Sequence, residues 1–414
     1  MTMPGREWYQ GANRWERIQD AIERHNLDAL LALTPENARY LAGFGNYIAT
    51  HWRLPGLFAA VIGKNGRKAI VSGEFGRDPR TPESDFAWFP YTSWTESVDV
   101  RGITGGSIAE RTQRARPHPV ERPAQFDMQE VFDRVGDAIR HIAPDARRIG
   151  VDLDEVDDFS VGLLVRQLGN TLALPYDEIF DDLRAVKDPE EIEFLRLACE
   201  LVEIGISEAA KSLELDQSEL AVNGAYHIAV HHAAAGDPRF GQFQQSEGVA
   251  AIGLGLESPG RVERGQTVKF DMQVDIAGYH SDVGRTYAVD PTPDQQAIYD
   301  ALLHALHEMT AAVAPGITFA QLYATGSGAM HRAGFPNYSR GHLGHSDGLT
   351  QHFEESPFIA PMEHRPLAPN MVLSLEMPYY LYGVGAFQLE RMVLVTEDGH
   401  EMLDSLPFQL AMER

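Results

Sequence analysis

The segment Asp271-Met-Gln-Val-Asp-Ile-Ala-Gly-Tyr-His-Ser-Asp282 carries the decisive pattern of this chain. Val268–Asp275 and Tyr279–Ala288 are strand-like, and Ile276–Ala277–Gly278 between them reads as a turn. A hairpin centred on that turn predicts Asp271 directly opposite Asp282, because positions equidistant from a turn pair across the ladder. Two carboxylates facing each other weaken a sheet unless something positive lies between them.

The same arrangement recurs downstream. Met371–Tyr380 and Ala386–Thr396 flank Gly383–Val384–Gly385, and a turn centred on Gly383 predicts Glu376 opposite Glu390. Both glutamates have apolar neighbours (Leu373, Leu375 and Met377; Leu389 and Met392), which predicts burial. Buried, unpaired carboxylates are costly, and a divalent cation removes that cost. The remaining element is Gly344–His345–Ser346–Asp347–Gly348, with His352 further on. Glycines around a histidine permit close backbone approach. A single Asp pair across a hairpin often arises by chance; two such pairs and a Gly-flanked histidine point to a metal centre. One nitrogen and four carboxylates form a hard donor set, suited to Mn, Fe or Co with Zn also open, and unlike a structural zinc site. Gln273 and Asp275 share a strand face with Asp271, and for Asp275 solvation is an equal alternative to lining the site. Ser346 and Tyr279 have no adjacent base in sequence, so neither reads as a nucleophile. His227, His231 and His232 lie on an alanine-rich helical segment, where packing or surface roles are expected.

Composition narrows the partners. Thirty-five Lys and Arg against sixty Asp and Glu give a formal net charge of −25 over 414 residues. That balance opposes nucleic-acid or anionic-membrane partners, both of which need a basic surface. One cysteine, Cys199, excludes an intrachain disulfide; it lies on the apolar stripe Ile192, Leu195, Cys199, Val202, Ile206, which predicts a core role. No apolar run is long enough to span a bilayer, and the first residues lack a signal-peptide core. A cytoplasmic enzyme is the expectation.

Along the chain, residues 1–180 read as a smaller α/β domain and residues 181–414 as an α+β catalytic domain. Arg14–His25 is predicted helical, followed by a short strand at Ala29–Leu33 and a helix opening at Pro35. Leu57–Ile62 and Lys68–Val71 form a predicted hairpin through Lys64–Asn65–Gly66; Arg148–Val151 reads as a strand and Ser160–Gln167 as a helix. Arg101–Gln125, rich in Gly, Pro and Arg, reads as a long surface loop. Asp188–Pro189–Glu190–Glu191 and Thr292–Pro293–Asp294–Gln295 are strong helix starts.

At these residues the chain resembles the pita-bread metallopeptidases: aminopeptidase P, prolidase, methionine aminopeptidase and creatinase. The resemblance rests on Asp271 through Asp282 with Arg285–Thr286, on Gly344–His345–Ser346–Asp347–Gly348 through His352, and on Glu376 and Leu389–Glu390–Arg391–Met392–Val393–Leu394–Val395–Thr396. The patterns at Asp28–Ala29–Leu30, Tyr40–Leu41–Ala42–Gly43–Phe44 and Arg184–Ala185–Val186–Lys187 extend it over nearly the whole chain. It implies a pita-bread catalytic domain behind a smaller α/β domain. It also implies two divalent metal ions, manganese first among them, with Asp282 and Glu390 bridging, Asp271 on one metal, and His345 and Glu376 on the other. The implied chemistry is hydrolysis of a peptide or amide C–N bond by metal-activated water, with Glu376 as proton shuttle and His352 as donor to the substrate carbonyl. A homodimer is implied as well.

Three positions depart from the family. Leu254 stands where its peptidases usually carry a further histidine upstream of the first Asp ligand. Gln273 replaces the glycine that commonly follows that Asp, and Gln388 replaces the arginine that commonly precedes the last Glu. The substrate is therefore expected to be either a short peptide of Xaa-Pro type or a small non-peptide molecule. In the second case the enzyme is an amidase, an ectoine-hydrolase-like enzyme or a dimethylsulfoniopropionate-lyase-like enzyme. A catalytically inactive binding homologue is the remaining alternative.

Overall fold

A computed structural model of the protein describes residues 7–74, 86–254, 260–349 and 354–412. The chain divides into two compact units. The first, Gln10–Phe180, is built on a six-stranded mixed sheet. Its strands are β1 (Ala29–Ala32), β2 (Phe58–Gly63), β3 (Lys68–Gly73), β4 (Ala87–Tyr91), β5 (Arg148–Val151) and β6 (Leu172–Pro175), in the order β4-β3-β2-β1-β5-β6. Helices Arg14–Arg24, Met128–Ile142 and Asp158–Leu168 each begin at an Asn or Asp whose side chain accepts from a first-turn N–H.

Asp152, just past β5, ties two elements of this unit together. It is wholly buried and accepts from Leu33 N (2.7 Å), Thr34 N (3.0 Å), Thr34 Oγ1 (2.5 Å) and Asn37 Nδ2 (3.0 Å). These contacts fix the start of helix Pro35–Ala42 against the sheet. Asp152→Ala is expected to leave several buried donors unsatisfied and to cost about 3 kcal/mol. Denaturant melts should show it, and an unchanged midpoint would contradict this role.

The segment Arg101–Gln125 departs from the expectation of a loop. It contains a helix, Ile108–Ala115, opened by a capping box between Ser107 and Glu110. The helix buries none of its residues, so no apolar stripe announces it; the Ser-x-x-Glu spacing was the one available signal.

The second unit is Asp181–Arg414, joined by the start of the chain through Tyr9. One of its sheets has β7 (Phe243–Ile252), β8 (Thr267–Ile276), β9 (Tyr279–His280) and β10 (Val283–Ala288), in the order β10-β8-β7 with β9 also on β8. A second holds β11 (Gly344–Ser346), β12 (Glu355–Phe358), β13 (Val372–Glu376), β16 (Glu390–Val395) and β17 (His400–Met402), in the order β12-β11-β13-β16-β17. A short ribbon of β14 (Tyr379–Leu381) and β15 (Gly385–Phe387) continues the β13–β16 hairpin. Helices Pro189–Lys211, Glu219–Gly236, Pro293–Ala312 and Phe319–Arg332 accompany the sheets. Cys199 is fully buried with Sγ 3.1 Å from Met392 Sδ, the core role expected of it. On the second of these helices, His227 bonds Ser246 Oγ (2.8 Å) and His231 packs edge-on against Phe243. Among the described residues, no helix is long and apolar enough to cross a membrane.

Candidate metal centre

β8 alternates strictly. Val268, Phe270, Met272, Val274 and Ile276 face one way, and Lys269, Asp271, Gln273 and Asp275 the other. On a solvated sheet the polar face would meet water. Here Lys269, Gln273 and Asp275 are all buried, which removes the solvated alternative for Asp275.

The first hairpin has a different register from the one expected. Its turn is the two-residue Ala277–Gly278, both with positive φ (56° and 84°), a combination that matches strand twist. Asp271 therefore pairs with Gly284, and Met272 with Val283. Ser281 N donates to the Val274 carbonyl, so Asp282 lies across from Gln273, whose Nε2 donates to Asp282 Oδ2 at 3.1 Å. Relative to the expected pairing the turn centre moved by one residue, which shifts the partner of each β8 position by two. A shift of two preserves the face, so Asp271 and Asp282 remain on one side as diagonal neighbours. The second hairpin has the expected register, with Glu376 directly opposite Glu390.

β10 and β16 bring the two sheets together. Thr286 Oγ1 donates to the Gln388 carbonyl (3.0 Å) and accepts from Gln388 N (2.8 Å). Gly284 makes this approach possible, since a Cβ there would lie 2.5 Å from Gln388 Cγ and 2.9 Å from Glu390 Cβ. The result is a buried trio: Asp282, His345 and Glu390 each offer a ligand atom, all within 4.8 Å of one another. His345 Nε2 is 3.9 Å from Asp282 Oδ2 and 3.8 Å from Glu390 Oε1. Gln388 Nε2 links Glu390 Oε2 (3.0 Å) to Glu376 Oε2 (3.2 Å).

Asp271 and Glu376 stand differently. Asp271 Oδ2 is 3.0 Å from Lys269 Nζ. Burial works against the Lys269 charge, but the Asp271 carboxylate outweighs it and raises the ammonium above its ordinary value. Glu376 Oε1 meets His342 Nδ1 at 3.1 Å and an Arg340 guanidinium nitrogen at 3.2 Å, and a second grouping joins His342, Glu354 and Glu376. Lys269, Arg340 and His342 were not anticipated. The sequence signal for His342 was its place in Arg340–Gly–His–Leu–Gly–His345, close before the Gly-flanked histidine. His352 lies outside the described residues.

The electrostatics call for a cation. Burial, and then the charges of Asp271 and Asp347, push the Asp282 carboxyl well above its usual range. Glu390 is likewise pushed up by burial and then by Asp282. Burial opposes ionisation of Glu376 too, but the His342 hydrogen bond and the Arg340 charge hold it down at about 2. Burial disfavours the His345 imidazolium, yet Asp347 and the carboxylates around it raise the ring to about 10. Asp282 Oδ1 is buried without a hydrogen-bond partner. An orphaned carboxylate oxygen beside one imidazole nitrogen and a second carboxylate fits a hard divalent ion.

Without metal, His345 below pH 10 carries the proton that a cation at Nε2 must displace. Metal binding near pH 7 is therefore expected to release protons, and apparent affinity to rise with pH. Calorimetry in two buffers of different ionisation enthalpy checks this; identical heats in both would exclude it.

Residues 193–397 match metallopeptidase family M24, and residues 14–186 match the creatinase/prolidase N-terminal domain. The chain belongs to metallopeptidase family M24. Its fold is accordingly α+β, a pita-bread catalytic domain behind a creatinase-type N-terminal domain. Among M24 relatives, the Xaa-Pro dipeptidase of Pyrococcus furiosus is 30% identical over 228 residues, which cover 55% of this chain and 65% of that protein. The matched stretch is thus less than two thirds of that relative's length. The uncharacterized peptidase YqhT of Bacillus subtilis is 26% identical over 95% of this chain and 98% of its own. The crystal structure of the prolidase from Pyrococcus horikoshii OT3 superposes with a TM-score of 0.71 at 19% identity, covering 96% of this chain and 99% of that one. The buried trio lies within the M24 match, on β11, β16 and the segment between β9 and β10.

Proposed function

We propose that this M24 chain is a dinuclear, metal-dependent hydrolase of C–N bonds that acts on short peptides of Xaa-Pro type. The observation that carries the reading is the buried Asp282–His345–Glu390 trio, with Glu376 paired across the ladder from Glu390. Asp271, Asp282, His345, Glu376 and Glu390 are the ligands in this reading, with manganese as the native metal. When bound, the two ions polarise the scissile carbonyl and lower the pKa of the attacking water.

The chain's own groups have distinct tasks. Gln273 and Gln388 donate to Asp282, Glu376 and Glu390, so the carboxylates are oriented in advance. His342 and Arg340 keep Glu376 ionised, as a metal ligand must be. Lys269 holds Asp271 on its strand face. His352 serves as donor to the substrate carbonyl. A homodimer is the assembly in this reading, and light scattering would check it.

A second reading, a small-molecule amidase, rests on the side chains lining the centre. Gln273 and Gln388 stand in direct contact with the candidate ligands, where the family's usual residues are absent. One experiment separates the two. Metal content is measured on protein purified without chelator, and turnover is measured on a panel of Xaa-Pro dipeptides and non-peptide amides with added Mn²⁺ or Co²⁺. Xaa-Pro cleavage that chelator abolishes supports the first reading. Turnover of a non-peptide amide alone supports the second, and fewer than one ion per chain at saturation rejects the metal centre.

A further inference from the structure

A histidine ligates a metal through one ring nitrogen, and its partner at the other nitrogen decides which one is available. The His345 Nε2 atom is the one directed at Asp282 and Glu390. Nδ1 lies 3.1 Å from the Ser346 carbonyl and 3.4 Å from Asp347 Oδ1. Both neighbours are acceptors, so Nδ1 keeps its proton, and Nε2 is the nitrogen that gives up its own to a metal.

Asp347 is an unusual group to find there. It is 1% exposed, and its own N–H is bonded to the Val372 carbonyl at 3.1 Å. Ser374 Oγ donates to Oδ2 at 2.8 Å, and Ser374 is the β13 residue paired with His345 across the ladder. Oδ1 has no hydrogen-bond partner of its own and faces the imidazole. Close by, the fully buried Lys187 donates to Ser346 Oγ at 2.9 Å. One carboxylate oxygen is thus fixed by a serine, while the other is directed at the ring that offers Nε2 to the centre. A cation on Nε2 withdraws charge from the ring and strengthens Nδ1–H as a donor, so the contact with Asp347 gains strength when metal binds.

We propose that Asp347 is a positioning residue of the metal centre: held by Ser374, it keeps His345 protonated at Nδ1 and fixes the ring so that Nε2 points at Asp282 and Glu390. The proposal rests on the reading of His345 as a metal ligand. The competing view is that Asp347 is an internal polar residue satisfied by Ser374 alone.

The test measures Co²⁺ and Mn²⁺ affinity by competition with a chromophoric chelator, together with the visible spectrum of the Co²⁺ form. Asp347→Asn retains the shape and an acceptor but loses the charge, and Asp347→Leu loses both. Each is expected to weaken metal binding roughly 10- to 100-fold, Leu more than Asn, and to shift the Co²⁺ ligand-field bands. Ser374→Ala leaves Asp347 in place but releases its fixed oxygen, so a smaller loss in the same direction is expected. It keeps the test informative if Asp347→Leu fails to fold. Binding by Asp347→Asn within about twofold of wild type, with an unshifted spectrum, overturns the proposal. Wild-type protein that takes up no metal overturns the underlying ligand reading instead, a result distinct from variants that match a metal-binding parent.

Discussion

Glu390→Gln is expected to bind neither Mn²⁺ nor Co²⁺ tightly and to lose roughly a thousandfold in turnover, since a bound metal supplies several kcal/mol of transition-state stabilisation. At the same time the metal-free variant is expected to be more stable than its parent. Glu390 is 1% exposed and lies in a carboxylate cluster, with Asp282 the charge that most raises its pKa. A neutral amide of the same shape removes that repulsion, and its oxygen can still accept from Gln388 Nε2, now 3.0 Å from Glu390 Oε2. Function and stability should therefore move in opposite directions, the signature of a site built against the fold's own preference. Metal analysis after dialysis reads the first effect and a chelator-treated thermal melt the second. Wild-type metal affinity in the variant would remove Glu390 from the ligand set.

Arg285→Met is expected to be the most destabilising single substitution in the catalytic unit. The guanidinium is 1% exposed and pairs with the buried carboxylate of Asp404. It also donates to the carbonyls of Leu406, Gly284 and Glu390, and it stacks 3.8 Å from the centroid of the Phe408 ring. Methionine fills much of the volume but leaves Asp404 buried with its main counter-ion gone. Such a loss costs about 3–5 kcal/mol, or roughly 10 °C in melting temperature for a unit of this size. Because Arg285 also holds the backbone of Glu390, metal affinity should fall with it. Restoring stability with Asp404→Asn in the same chain would show that the stranded carboxylate is the cause; no rescue would place the loss in the carbonyl contacts.

Much of this architecture could be read from local chemistry. The capped helix starts at Asp188 and Thr292, the strand–turn–strand of β2 and β3, and the pairing of Glu376 with Glu390 all follow from caps, glycines and period. Where reading failed, the cause is specific. In the first hairpin, a non-glycine residue, Ala277, takes positive φ, so the tight turn fell on a dipeptide that composition does not mark. The exposed helix Ile108–Ala115 has no buried face to generate a period. Arg340 and His342 lie in an irregular stretch, where side-chain direction has no periodicity to reveal it.

The sequence by itself determined which residues share a face. Alternation in β8 sets Asp271, Gln273 and Asp275 on one side whatever lies opposite, and a two-residue register error leaves that side unchanged. What covers that face was decided only in three dimensions. Thr286 locked against Gln388, and Gly284 against Glu390, seal the polar side of one sheet with the polar side of another. Burial then turns carboxylates that water would have solvated into a site that calls for a cation, because the charged form loses its solvent and keeps its neighbours. Alternation is a property of one strand; the low dielectric that gives these charges their force comes from two sheets meeting.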